Sequence, residues 1–116
     1  MLKFNIVSFY KEPYPVGLIS HIWQSIDMYI ALNNSFPMQT ENYMPFVGKN
    51  RKYSLSEVNN PSVYFSFLRD HKEWFNFYKY IKKGTFIEEI LLLLKNYDIA
   101  MPNIVIGDKL RSRFEF

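Results

Sequence analysis

Val63-Tyr64-Phe65-Ser66-Phe67 is the stretch on which the reading of the fold turns. Val63, Phe65 and Phe67 alternate with Tyr64 and Ser66, the period-two pattern of a strand, and most of these residues are strand formers. Asn59-Asn60-Pro61 before it is a turn signal. Read this way, the middle of the chain is sheet, and the neighbouring segments arrange themselves around it.

Upstream, Tyr43 to Val47 and Arg51 to Ser56 read as two strands joined through Gly48-Lys49-Asn50, with glycine supplying a positive φ for a tight turn. Pro45 confines the first of them to a sheet edge, because proline cannot donate to a ladder. Further back, Val16, Ile19, Trp23, Ile26 and Ile30 recur at spacings of three and four, which predicts an amphipathic helix from Val16 to about Leu32. Asn33-Asn34-Ser35 and Pro37 end it. Residues 2–9 alternate as a first strand, stopped by Pro13 and Pro15.

Downstream, Asp70-His71-Lys72-Glu73 has the spacing of a capping box. The helix it opens carries Trp74, Phe75, Tyr78 and Ile81 on one stripe and closes at Lys82-Lys83-Gly84, where cations face the negative end of the dipole. Thr85 to Glu88 spells a second box. The helix that follows, to about Tyr97, is apolar nearly all round through Ile90-Leu91-Leu92-Leu93-Leu94, so it is either heavily buried or meets a partner. Residues 103–106 and 110–116 predict two last strands. The order β-α-β-β-β-α-α-β-β gives an α+β fold over a single domain, 1–116. The expected form is a mainly antiparallel sheet of about five or six short strands with three helices packed on one face.

Composition narrows the function classes. The chain has 22 aromatic residues among 116, two histidines, four glycines and no cysteine. Disulfides and thiolate ligands are excluded, and a core rich in Phe, Tyr and Trp needs neither. The longest aliphatic run, Ile90 to Leu94, falls far short of a membrane span. No leader pattern is visible at the start, so the expected setting is cytoplasmic, away from membranes. Net charge is +3, but residues 49–83 hold eight cations against three acids while each flank has one more acid than cations. The positive excess therefore sits in the middle of the chain.

No spacing here demands a metal, a phosphate or a nucleophile. His21 and His71 are 50 positions apart, and neither has a second ligand at a recognisable interval, so no metal and no cofactor are expected. A base at His71 flanked by Asp70 and Glu73 would suit a small hydrolase or nuclease, but a capping box already accounts for both acids. The remaining signal is the basic middle with its aromatics: Lys49, Arg51, Lys52 and Tyr53 at a hairpin tip, and Lys79, Lys82 and Lys83 at a helix end. Cations interleaved with rings suit single-stranded nucleic acid, and equally an acidic protein. Phe65, Phe67, Trp74, Phe75 and Tyr78 fall at core periodicity, leaving fewer rings for stacking on a ligand.

The expectation is a non-enzymatic protein-binding domain, a stoichiometric inhibitor of one partner in the manner of toxin-immunity proteins or phage inhibitors. It would use the seven basic and aromatic residues just named and, besides Tyr53, spare tyrosines such as Tyr10, Tyr14 and Tyr43. The alternative is a nucleic-acid-binding accessory domain using segment 49–83. A monomer and a homodimer both remain open, since an exposed sheet edge can pair.

Overall fold

The computed structural model of the chain describes residues 1–38, 44–46, 52–99 and 116. Its elements run β1 (Ile6–Tyr10), β2 (Val16–Ile19), α1 (Ile26–Asn34), β3 (Met44–Phe46), β4 (Lys52–Ser54), α2 (Pro61–Asp70), α3 (Lys72–Ile81) and α4 (Gly84–Asn96). The class is α+β, but rich in helix. The expected sheet of five or six strands under three helices is not what the chain forms. The described residues hold four helices and two separate two-stranded antiparallel sheets, β1–β2 and β3–β4.

Among the described residues two segments differ from the expectation. Residues 63–67 lie inside α2, not in a strand. Pro61 occupies the first turn, where its missing N–H costs nothing, and the Tyr64 N–H donates to the Asn60 carbonyl at 3.0 Å to open the ladder. The buried residues of α2 are Tyr64 and Leu68, four apart, with Val63 and Phe67 half-buried beside them. The inward face is thus a helical stripe, and Phe65, which the alternation placed inside, is exposed.

The second misread segment is 16–25. Val16–Ile19 is a strand, and the chain turns at His21, whose φ of 51° lies in the left-handed region and cannot continue a helix. Helix α1 begins only at Ile26, with the Ser25 hydroxyl accepting from the Met28 N–H at 3.5 Å.

The hairpin β1–β2 is antiparallel, pairing Ile6 with Ile19, Ser8 with Leu18, Phe9 with Gly17 and Tyr10 with Val16, with a register shift between Ile6 and Ser8. That shift puts Ile6 and Phe9, three apart, on the same side, and both reach the Gly17 backbone. A Cβ at Gly17 would lie 3.2 Å from Ile6 Cδ1, so glycine fits the close approach. The pairing continues past the strands, with Leu2 opposite Trp23 and the Lys3 N–H donating to the Ile22 carbonyl at 2.8 Å.

Neither capping box forms. His71 is at once the residue after α2 and the residue before α3. Its N–H donates to the Phe67 carbonyl and its own carbonyl accepts from the Phe75 N–H, with no side-chain cap. Asp70 is the last residue of α2. Helix α4 starts at Gly84 after Lys83, again without a side-chain cap. The two strands expected on either side of Gly48 pair antiparallel, Met44 with Ser54, Pro45 with Tyr53 and Phe46 with Lys52. The tip between them lies outside the described residues, as do the two last expected strands except for Phe116.

Helix α3 is the hub, packed on α1, α2 and α4. The core is Leu32, Leu55, Tyr64, Leu68, Trp74, Phe77 and Ile81. Phe116 closes it: its backbone exchanges two hydrogen bonds with Leu55, at 3.0 and 3.1 Å, and its ring stands edge-on to Trp74 at 4.7 Å and Phe67 at 5.1 Å. On the other side of the molecule β1 packs on α4, with Phe4 against Phe86 at 6.1 Å and Phe9 against Tyr97 at 4.7 Å.

Candidate partner-binding surface

Three basic residues singled out from the sequence come together at the end of α3. Lys79 and Lys82 are three apart in α3 and its cap, and Lys83 is the exposed residue before α4. Lys52 and Tyr53 are placed by backbone in β4, opposite Phe46 and Pro45. Lys49 and Arg51 lie outside the described residues.

The lysines are not equivalent. Lys82 forms an ion pair with Glu57, and the same carboxylate accepts from the Tyr78 hydroxyl at 3.0 Å. Lys82 Nζ also sits 5.5 Å from the centre of the Tyr78 ring. Burial, then the hydrogen bond to Glu57 and its charge, raise the Tyr78 pKa above the ordinary phenol value. This cluster ties α3 to the turn before α2, and Lys82 spends much of its charge internally. Lys79 is different: its ammonium lies over the Phe75 ring, 4.6 Å from the centroid, on an exposed face.

Phe75 was expected in the core stripe of α3. The structure buries Trp74 and Ile81 of that stripe, adds Phe77, and leaves Phe75 41% exposed and Phe65 44% exposed. Phe65 stands edge-on to Tyr78 at 5.9 Å. Phe65, Tyr78, Phe75, Lys79 and Lys82 therefore form one continuous aromatic and cationic face across α2 and α3. The sequence clue was the run of five aromatics in residues 74–80, more rings than one stripe can take.

A concavity of about 770 Å³ lies between α2 and the segment after α1, with Phe36, Met38, Leu55 and Phe67 as apolar lining and Ser66 and His71 among its polar groups. His71 is positioned by main chain rather than by an acid. Its ring stacks on Phe67 at 4.3 Å, and Nδ1 lies 2.9 Å from the Phe67 carbonyl, so Nδ1 carries the proton and donates. Glu73 is held below the ordinary carboxyl range chiefly by the Ser35 hydroxyl, next by its own backbone N–H, and slightly by the charge of His71. Asp70 lies 3.9 Å from Arg69, both side chains well exposed. Among the described residues neither histidine ring nitrogen has a carboxylate partner of the kind that orients the base of a hydrolytic triad. His21 is exposed, and its Nδ1 lies 3.2 Å from the Ser20 hydroxyl. Among the described residues no three His, Cys, Asp or Glu side chains converge to hold a metal ion, and no helix is long and apolar enough to cross a membrane.

A third surface was missed by the helical reading of 16–32. Val7, Tyr10, Val16 and Leu18 of the hairpin, with Tyr14 at its tip, are all exposed. The signal was available in the sequence: residues 4–10 and 13–26 contain no Asp, Glu, Lys or Arg.

No family model, no curated protein and no solved structure matches the chain. What the fold and surfaces define is a class, a small helix-rich α+β domain with large aromatic side chains on its outside.

Proposed function

We propose that the chain is a non-catalytic, cytoplasmic protein-binding domain that covers the surface of one partner stoichiometrically, as immunity proteins and phage inhibitors do. The observation that carries this reading is the exposed face of Phe65 and Phe75 with Lys79 stacked on a ring. Exposed aromatics held in place by a neighbouring cation make rigid anchors at little entropic cost, and protein interfaces concentrate their binding energy in such residues. The face is mixed rather than wholly apolar, as in complexes that form and part. Its positive character favours an acidic partner.

Nucleic-acid binding is the weaker reading, because Lys82 is already paired with Glu57. Phosphate tracking needs free cations in series. The test is capture by tagged protein from lysate of the source cells at about 150 mM salt, where exposed charges are screened beyond ~8 Å. It is run with and without nuclease, using wild type and the double variant Phe75→Ala, Lys79→Glu. One protein recovered at unit stoichiometry, resistant to nuclease and lost with the variant, is the expected result. Recovery of nucleic acid alone would overturn the reading.

A further inference from the structure

We infer that the outer face of the β1–β2 hairpin is a homodimer contact, occupied by the same face of a second copy of this chain. The hairpin has two unlike sides. Ile6 and Phe9 share one side beside the Gly17 backbone, and Phe9 meets Tyr97 at the end of α4. Tyr10 pairs with Val16 and Ser8 with Leu18 on the opposite side, where Tyr10, Val16 and Leu18 are 64, 46 and 59% exposed. Tyr14 at the tip and Val7 at the register shift extend this surface. Large aliphatic side chains left this bare on a strand pair mark a contact surface.

Charge selects the occupant. A different protein is recognised through complementary charges and buried polar groups, and this face offers none of its own. Permanent contacts between identical chains are the more apolar kind. A chain of net charge +3 repels its own copy, so self-association is least opposed where charge is absent. The turn that joins the strands carries Lys11 and Glu12, one of each sign, which an isologous contact can pair crosswise, and exposed Lys3 is the next charge along the β1 side. A lipid surface would instead call for a fringe of several cations, whereas here only Lys3 and Lys11 are near in sequence and Glu12 offsets one of them. Five exposed side chains at roughly 100 Å² each give about 500 Å² per copy and about 1,000 Å² in all, the lower bound of a specific interface. Two such hairpins stacked face to face would make a four-stranded sandwich about 10 Å thick, which two strands alone cannot provide.

The test is sedimentation velocity from about 1 to 200 μM at low and high salt, on wild type, Leu18→Lys and Phe75→Ala. A wild-type dimer that high salt does not weaken is expected, retained in Phe75→Ala and weakened at least tenfold in Leu18→Lys. Because the chain has no cysteine, Leu18→Cys supplies a second readout that leaves the face uncharged. Oxidation should link it to its own copy, while Ser62→Cys on α2 should stay monomeric under denaturing electrophoresis. A wild type monomeric to 200 μM, a dimer indifferent to Leu18→Lys, or a monomer that binds anionic vesicles through this face would each overturn the inference. Phe75→Ala that keeps the dimer but loses the captured partner separates this contact from the proposed partner surface.

Discussion

Two regions of this molecule are rich in apolar side chain and put it to different uses. Helices α1, α2 and α3, with the segment after β4, contain every fully buried hydrophobic residue described: Leu32, Leu55, Tyr64, Leu68, Trp74, Phe77 and Ile81. The hairpin β1–β2 and helix α4 contain none, although α4 reads Ile90-Leu91-Leu92-Leu93-Leu94. The difference is one of geometry. On the closed side α3 is wrapped by two helices, and Phe116 fills the remaining gap with a ring that meets Phe36, Tyr64, Phe67 and Trp74. On the open side one strand pair packs on one helix, so each element has an inner stripe half-covered and an outer stripe bare. Apolar content alone does not close a core; three-dimensional enclosure does.

The sharpest way to break that comparison is Trp74→Ala. The indole is 6% exposed, meets Phe36, Phe77 and Phe116, and donates from Nε1 to the Ser35 carbonyl at 3.2 Å. Truncation removes a large ring and leaves that carbonyl without its donor, so a loss of about 3–5 kcal/mol is expected in urea or guanidinium unfolding. For a domain of this size that is a large part of total stability. A loss under about 1 kcal/mol would mean the closed side is not where the fold's stability resides.

How much of this contrast could be read from the sequence depends on the element. The short hairpin pairing Met44–Phe46 with Lys52–Ser54 was legible because glycine and proline leave few alternatives. Helices α3 and α4 were legible from long stripes and a clear stop after Ile81. What failed were short segments whose patterns fit two periods. Val63, Phe65 and Phe67 alternate, yet Tyr64 and Leu68, four apart, are the buried pair. Five residues cannot tell a strand from one and a half turns of helix when nearly all are apolar. In 16–30 the spacing of three and four arose from a strand, a turn and a helix in succession, with His21 at positive φ breaking the series. The candidate partner face was half legible. Its lysines were visible, but a stripe misplaced by one position hid Phe75 among the core residues and put Phe77 outside it.

A middle-sized effect is expected at the seam between the Glu57 turn and α3. Glu57→Gln keeps the shape and removes the charge that holds Lys82 and accepts from Tyr78. The pair is partly screened by solvent, so about 1 kcal/mol of stability is expected to go, less at high salt. Tyr78 gives a second readout. Its folded pKa is raised, so the folded state holds that proton more tightly than the unfolded chain. The associated stability is complete below the ordinary phenol value near 10 and is lost as pH rises through the higher folded value. Ultraviolet titration of phenolate should show Tyr78 moving down toward its ordinary range in Glu57→Gln. Part of the shift should remain, because burial is its largest cause. No movement at all would mean that the carboxylate does not hold this seam.

The smallest effect is predicted on the open side. Leu92 is 60% exposed on α4, so truncating it removes little buried surface, and alanine is the better helix former. Leu92→Ala should therefore change stability by no more than about 0.5 kcal/mol in either direction, in contrast to the cost at Trp74. The same substitution in α3 at Ile81, 4% exposed, should cost about 2–5 kcal/mol. Two aliphatic truncations in adjacent helices then differ several-fold for one reason, enclosure. If Leu92→Ala instead costs as much as Ile81→Ala when each is measured at a dilution that leaves the chain monomeric, the outer side of α4 is covered within the chain. The line drawn between the closed side and the open one would then have to move.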